Sequence, residues 1–292
     1  MGRLDGKVAL VTGAGGGLGR AHALLLASEG ASVVVNDLGG ARDGSGDGSS
    51  AMADQVVQEI VQAGGQAVAD YGSVTSEDDA KAMVNAAFMH FGRLDIVINN
   101  AGILRDKSFK NMTNEMWDIV VEVHLRGTYL VTKAAWDRLI EQNQGGRIIM
   151  TSSTSGLIGN FGQTNYGAAK AGIAGFMRVL ALEGVKYGIT VNVLAPAAWS
   201  RLTEDIMQSG VEERLAPERV SPAVAWLCTD EAKDVTGRQF FVGGNRVVLL
   251  SWQTTEIADK DADDAPWTLD EIGAAMQESI GTWPRLLRPM DL

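Results

Sequence analysis

The chain has 292 residues, 46% of them hydrophobic and 21% charged, which suits one large folded domain and leaves room for a second. A formal net charge of −11 argues against a nucleic-acid partner, because neutralising phosphates needs clustered Lys and Arg. The single cysteine, Cys228, excludes an intrachain disulfide. No zinc ligand set, hydrophobic signal core or apolar run of the ~18 residues needed to cross a membrane is present, so the expectation is a soluble cytoplasmic protein with no metal and no membrane partner.

The first apolar run, residues 7–12, is β-rich. Glycines from Gly13 to Gly19 then break it, and helix formers follow from Arg20 to Ser28. Strand, tight turn and helix in that order are the context a dinucleotide-binding glycine motif requires. Gly13 and Gly17 free the backbone to turn against a pyrophosphate, and Gly19 lets the helix sit close to the sheet with its amide end facing the anion.

The second run, 32–36, ends in Asp37. A carboxylate there accepts hydrogen bonds from the adenosine ribose hydroxyls and repels a 2′-phosphate, so the expected cofactor is NAD rather than NADP. Gly15, Gly16 and Leu38 put no basic side chain where a 2′-phosphate would need one, although Arg42 stands nearby in sequence. Gly39–Ser50, rich in glycine and serine, is expected to be a mobile surface insertion.

Further runs follow near 66–70, 94–99, 146–152, 189–194 and 239–242, with helical patterns between most of them. Such alternation predicts an α/β fold, a doubly wound and mostly seven-stranded parallel sheet in a single domain. Ligands of these sheets bind beyond the carboxyl ends of the strands. The ends at Gly13, Asp37, Asn99–Gly102, Ser152–Ser153 and Pro196 therefore face one crevice. The sheet unit is expected over 1–250, with a C-terminal extension over 251–292. In that extension Asp259–Asp264 resembles an acidic linker and Thr268–Glu271 a capping box; Trp252, Trp267 and Trp283 suggest packing on the same domain or on a neighbouring subunit. The apolar neighbours of Cys228 make it a packing residue.

The chemistry lies at Tyr166, Lys170 and Ser153. On a helix, Tyr166 and Lys170 stand one turn apart on one face. A free tyrosine has a pKa near 10 and is a poor base at neutral pH unless a positive charge stabilises the phenolate. Lys170 would supply that charge, and Ser153, at the end of the fifth strand, would hydrogen-bond the substrate oxygen during hydride transfer. A nucleotide-sensing binding protein without turnover and a sugar epimerase with retained NAD are the other readings of the same residues.

With these pieces in order, the chain resembles a short-chain dehydrogenase/reductase from about residue 5 to 245: Thr12–Gly19, Asn99–Gly102, Ser153 and Tyr166–Lys170 carry the likeness. The resemblance implies a Rossmann fold and an NAD-dependent enzyme acting on a CH–OH group. Tyr166 would be its acid/base, and Lys170 would also bind the nicotinamide ribose. Cofactor contacts would come from Leu18, Asn100, Ala101 and Gly102, from Ser73 and Val74 beside the adenine, and from Ala198 and Ser200 on the nicotinamide side. More closely, Val33–Gly40, Ala101–Phe109, His124–Gly127 and Gly159–Gln163 are similar to the (3R)-hydroxyacyl-CoA dehydrogenase domain of peroxisomal multifunctional enzymes, also known as a hydroxysteroid dehydrogenase. Most of the wider family has asparagine where His124 stands, Pro-Gly where Pro196-Ala197 stands, and an acidic residue at Gly72. His124 either joins a proton relay with Lys170 or simply packs. The implied substrate is a 3-hydroxyacyl-CoA, with a hydroxysteroid or other small alcohol as the alternative. Arg105, Lys107, Lys110 and Arg201 are candidates to meet the CoA phosphates. The resemblance also implies a homodimer or homotetramer built on the helices that carry Tyr166 and His124.

Overall fold

The computed structural model describes residues 2–41, 43–46, 48–199, 210–261, 263–285, 287–288 and 291–292. Seven parallel strands, β1 (Val8–Thr12), β2 (Ser32–Asn36), β3 (Gln66–Asp70), β4 (Ile96–Asn99), β5 (Gly146–Thr151), β6 (Ile189–Ala197) and β7 (Gln239–Gly243), lie where the apolar runs predict them. An eighth, β8 (Arg246–Leu250), adds antiparallel to β7 at the edge, giving the order β3-β2-β1-β4-β5-β6-β7-β8. This strand lies beyond the last apolar run expected, 239–242. The Gly243-Gly244-Asn245 turn, with Gly244 at φ +57, folds the chain back into a hairpin.

The inner strands are apolar at successive positions because both faces of the sheet are covered. Ala9, Val11, Val33, Val35, Ile96 and Ile98 pack on one face, with α1 (Gly17–Ser28), α2 (Ala51–Gln62) and, later in the chain, the short helix Ser221–Leu227. Val8, Leu10, Val34, Val97, Ile148 and Met150 pack on the other, with α3 (Glu77–Phe91), α5 (Gly127–Gln142) and α7 (Thr164–Gly184). Between α3 and α5 run α4 (Asn114–Val121) and a π-helical turn, Glu122–Arg126; α6 (Thr154–Leu157) follows β5. Each fully buried Leu or Ile in these layers is worth about 2–5 kcal/mol against truncation to alanine. Cys228 belongs to the first layer, and burial pushes its thiol up to about 12, so it is a packing residue.

β1 pairs with β2 on one side and β4 on the other, and the chain winds outward in both directions from that pair. The carboxyl ends of β1 and β4 therefore diverge around a crevice, the switch point of a doubly wound sheet. Beyond Leu250 the described chain leaves the sheet and forms one α-helix, Leu269–Ser279, started by the capping box of Thr268 and Glu271. Trp252 stays exposed with the Arg178 guanidinium 5.5 Å from its ring, while Trp267 takes the Lys260 ammonium at 4.7 Å. No helix among the described residues is long and apolar enough to cross a membrane.

Candidate active site

The crevice is a cleft of about 360 Å³ at the switch point. Gly13, Gly17, Leu18, Asp37, Ser73, Val74, Asn100, Ala101 and Gly102, all expected to hold cofactor, line it. The turn between β1 and α1 is tight enough to require its glycines. A Cβ on Gly19 would come within 2.2 Å of the Gly13 carbonyl oxygen, and one on Gly15 within 2.7 Å of the Asp37 carboxylate.

Two observations show that this cradle fits a dinucleotide. The first is the bare N-terminus of α1: Gly16 provides no side-chain cap, and no acidic residue stands in the first turn. Its N–H groups are thus left for an anion. By contrast α3, which carries no such duty, is capped by Ser76 and has Glu77, Asp78 and Asp79 in its first turn. The second is the aim of Asp37. Its Oδ2 accepts from the Gly15 N–H at 2.8 Å and its Oδ1 from the Gly39 N–H at 2.7 Å. These bonds fix the carboxylate at the cleft wall, with further lone pairs able to take hydroxyl donors.

Asn100 acts on the turn itself, donating from Nδ2 to the Thr12 and Gly13 carbonyls at 3.0 and 3.1 Å. The Thr12 hydroxyl in turn accepts from the Asn100 and Ala101 N–H groups at 3.0 and 3.1 Å. Thr12 is a site residue that the sequence did not single out, since its role appears only when β1 and β4 are neighbours. Gly72 lines the cleft where an acidic side chain is common; here Asp70 is bound by the Gly72 N–H and Asp79 by the Ser73 N–H.

The Gly39–Ser50 segment departs from expectation. Gly40, Ala41, Gly44 and Gly46 also line the cleft, Gly44 approaches Ile103, and the Arg105 guanidinium donates to the Asp43 carbonyl at 2.8 Å. Its described residues border the binding cleft instead of leaving the body as a free insertion. Ser200, Arg201 and Arg42 lie outside the described residues; Ala198, just past β6, is buried.

Ser153, Tyr166, Lys170 and His124 come together: His124 packs against the cleft residue Gly102 and against Tyr166, which in turn meets Lys170 and Ser153. Ser153 caps α6, and its hydroxyl accepts from the Ser155 N–H at 3.1 Å. Tyr166 and Lys170 share one face of α7, with the lysine nitrogen 5.5 Å from the phenol ring centroid and hydrogen-bonded to the Thr151 carbonyl at 2.6 Å. The first turn of α7 is anchored by Asn165, fully buried, which donates to the Arg105 and Met116 carbonyls at 3.0 and 2.9 Å and accepts from the Tyr166 N–H. Sequence reasoning passed over Asn165, which has no distinguishing local signal.

The electrostatics differ from the simple expectation of a phenol held acidic by an ammonium. Burial pushes Tyr166 up to about 12; a hydrogen bond with Ser153 lowers it and the negative charge of Asp106 raises it further. Burial also pulls Lys170 down to about 7. In the free chain burial is the largest influence on both groups, favouring the protonated phenol and the uncharged lysine.

His124 is buried in the π-helical turn, edge-on to Tyr166 with 5.1 Å between ring centroids. Its Nε2 lies 2.8 Å from the Ile103 carbonyl oxygen and 3.1 Å from the Ile103 amide nitrogen, while Nδ1 has no partner among the described residues. Burial, with the Lys170 charge next in size, holds it well below the usual histidine range and so neutral. Gly102 makes room for it: a Cβ there would lie 2.3 Å from His124 Cε1.

Comparison with known proteins agrees with this geometry. A family model described as short chain dehydrogenase matches residues 7–209. A short-chain type dehydrogenase/reductase of Mycobacterium tuberculosis is 56% identical, over 93% of this chain and 93% of that protein. The peroxisomal multifunctional enzyme type 2 of Mus musculus is 53% identical over 87% of this chain, which spans only 34% of that enzyme's length. The hydroxyacyl-CoA dehydrogenase ChsB1 of Mycobacterium tuberculosis is 39% identical over 94% of this chain and 89% of its own. Among solved structures, a short chain dehydrogenase from Mycobacterium avium superposes with a TM-score of 0.84 at 42% identity, covering 98% of both chains. One from Mycobacterium paratuberculosis bound to NAD superposes with a TM-score of 0.76 at 28% identity, covering 83% of this chain and 98% of that one.

Proposed function

The chain belongs to the short-chain dehydrogenase family, and on that premise we propose that this oxidoreductase uses NAD to interconvert a secondary alcohol and a ketone, with a 3-hydroxyacyl-CoA as substrate. The observation that carries the reading is the convergence of Ser153, Tyr166 and Lys170 behind a glycine turn whose rim holds the Asp37 carboxylate.

Bound NAD would supply the hydride acceptor. Gly13, Gly17, Leu18 and the free N-terminus of α1 would hold its pyrophosphate, Asp37 the adenosine ribose, Ser73 and Val74 the adenine, and Lys170 with Tyr166 the nicotinamide ribose. Asp37 favours NAD over NADP because a 2′-phosphate beside a fixed carboxylate meets like charge. In alcohol oxidation Ser153 donates to the substrate oxygen and Tyr166, once ionised, removes its proton. Lys170 keeps the phenolate stable, and in reduction the same phenol returns the proton.

The substrate class rests on the likeness to the mycobacterial hydroxyacyl-CoA dehydrogenase, with three cations on the segment after Gly102 as candidates for the CoA phosphates. Lys107 and Lys110 are exposed, and Arg105 reaches toward the bordering loop. The experiment is to follow NAD reduction with both stereoisomers of a 3-hydroxyacyl-CoA, with steroid alcohols and with simple alcohols. Activity confined to the last two overturns the acyl-CoA assignment. A homodimer or homotetramer fits the exposed apolar Val179, Leu182 and Val185 at the end of α7, and light scattering on the purified chain tests it.

A further inference from the structure

Two loops that the strand-end reading treats separately lie side by side. Lys107 and Gln163 form an isolated parallel bridge, with the Lys107 N–H donating to the Gly162 carbonyl at 2.9 Å. Their neighbours build a row of side chains leading to Ser153. The buried Gln163 donates from Nε2 to Asp106 Oδ2 at 2.6 Å, and its Oε1 accepts from the Ser155 hydroxyl at 2.6 Å and from Asn160 Nδ2 at 3.0 Å. Ser155 Oγ then accepts from the Ser153 hydroxyl at 3.3 Å.

Donor and acceptor chemistry gives the row a direction. An ionised carboxylate only accepts, so Asp106 dictates that Gln163 turns its NH₂ toward it and its carbonyl toward Ser155. Ser155 has one proton and commits it to that carbonyl, which leaves its oxygen as an acceptor for Ser153. We propose that Asp106, Gln163 and Ser155 are positioning residues that set the direction in which the Ser153 hydroxyl donates and, through it, the proton affinity of Tyr166. The inference rests on the oxidoreductase reading of the site.

While no substrate is present, every proton in the row points toward Asp106, so the Ser153 proton is drawn to Ser155 and away from the phenol oxygen, where a bond from Ser153 lowers the proton affinity of Tyr166. The final link is long at 3.3 Å and therefore weak, so Ser153 can redirect its proton to a substrate oxygen at small cost. Asp106 also acts through space, its charge opposing ionisation of the phenol. Among the described residues, the other titratable groups facing Tyr166 are Lys170 on its own helix and His124 on the π-helical turn.

The test uses Asp106→Asn and Ser155→Ala in the full chain, saturated with NAD. Asp106→Asn removes the charge and frees the Gln163 amide to turn either way. Both changes lower the pH at which Tyr166 loses its proton, so the acid limb of kcat for alcohol oxidation should move down by on the order of one pH unit. Ser155→Ala removes the acceptor for Ser153 without altering charge; the Ser153 proton then turns to the phenol oxygen, so the acid limb should move down here too, and Ser155→Thr should restore it. NAD affinity and thermal midpoint should stay close to wild type in all three. An unmoved limb in Asp106→Asn, an unmoved limb in Ser155→Ala, or shifts that track a lowered thermal midpoint would each overturn the proposal. The limb is read on whichever secondary alcohol the wild type oxidises fastest, so failure with 3-hydroxyacyl-CoA leaves this test intact. Should no alcohol be oxidised, the ultraviolet phenolate titration of each protein, taken against its Tyr166→Phe counterpart, reads the same shift, and an unshifted titration is decisive against it.

Discussion

The Lys170 side-chain nitrogen stands 5.5 Å from the centre of the Tyr166 ring, yet its hydrogen bond goes to the Thr151 carbonyl. With the lysine drawn down to about 7 and the phenol pushed up to about 12, neither is in the charge state that alcohol oxidation needs at mildly alkaline pH. A cation brought beside them must shift the phenol. Binding of NAD is therefore expected to release protons at about pH 8 in weak buffer, with the release absent in Tyr166→Phe. The same variant should lose roughly 10²–10⁴ in kcat while still binding NAD. Calorimetry in two buffers of different ionisation heat measures the release; equal release from the variant would place the titrating group elsewhere.

Asp37 is held from both sides by the Gly15 and Gly39 N–H groups, so replacing it loses ribose recognition and also loosens the turn. Asp37→Asn keeps an acceptor of the same shape and removes the charge that repels a 2′-phosphate. The expected result is a KM for NAD raised by about tenfold and a smaller preference for NAD over NADP. Steady-state kinetics with both dinucleotides checks it, and an unaltered preference would show that Asp37 does not select the cofactor.

What the sequence disclosed was what local chemistry specifies. The glycine turn, Asp37 and the strand ends were legible because each depends on a strand, a turn or a helix start adjacent in the chain. The Tyr166–Lys170 pair was legible because helical spacing alone puts both on one face. Thr12, Asn165 and the Asp106–Gln163–Ser155 row were not, since their partners are supplied by distant segments: Gln163 and Asp106 are 57 positions apart, and Asn100 and Thr12 are 88. Gly102 carried a signal whose meaning needed coordinates, because only the packed ring of His124 shows why a Cβ is forbidden there. The place of Gly39–Ser50 beside the cleft was hidden for a similar reason: glycine and serine mark a loop without saying what it rests on.

His124 separates a relay role from mere packing through its unpartnered Nδ1. The shorter of its two Ile103 contacts, 2.8 Å to the carbonyl, favours a proton on Nε2 and leaves Nδ1 as an acceptor. His124→Asn keeps a polar group in the pocket and is expected to retain kcat within about tenfold, whereas His124→Leu should lose roughly 10² with little change in NAD affinity. If both variants behave alike, the ring serves packing alone. Solvent deuterium isotope effects on kcat, larger in wild type than in His124→Leu, give the independent reading.

A second buried histidine, far from the chemistry, governs acid stability. His22 on α1 lies 2.8 Å from the Ser221 hydroxyl, and burial pulls its pKa from 6.5 to about 4. The unfolded chain therefore binds this proton before the folded one does. The stability tied to the neutral ring is fully present above 6.5 and is lost as pH falls from 6.5 toward 4, a window worth roughly 3 kcal/mol at 1.36 kcal/mol per unit. His124, also held neutral by burial, adds a loss of the same sign in wild type and variants alike. His22→Gln removes only the first contribution, so urea denaturation at pH 7 and pH 4 should show wild type losing about 3 kcal/mol more than the variant. Equal losses would mean that the His22 ring takes up its proton without unfolding the helix that carries it.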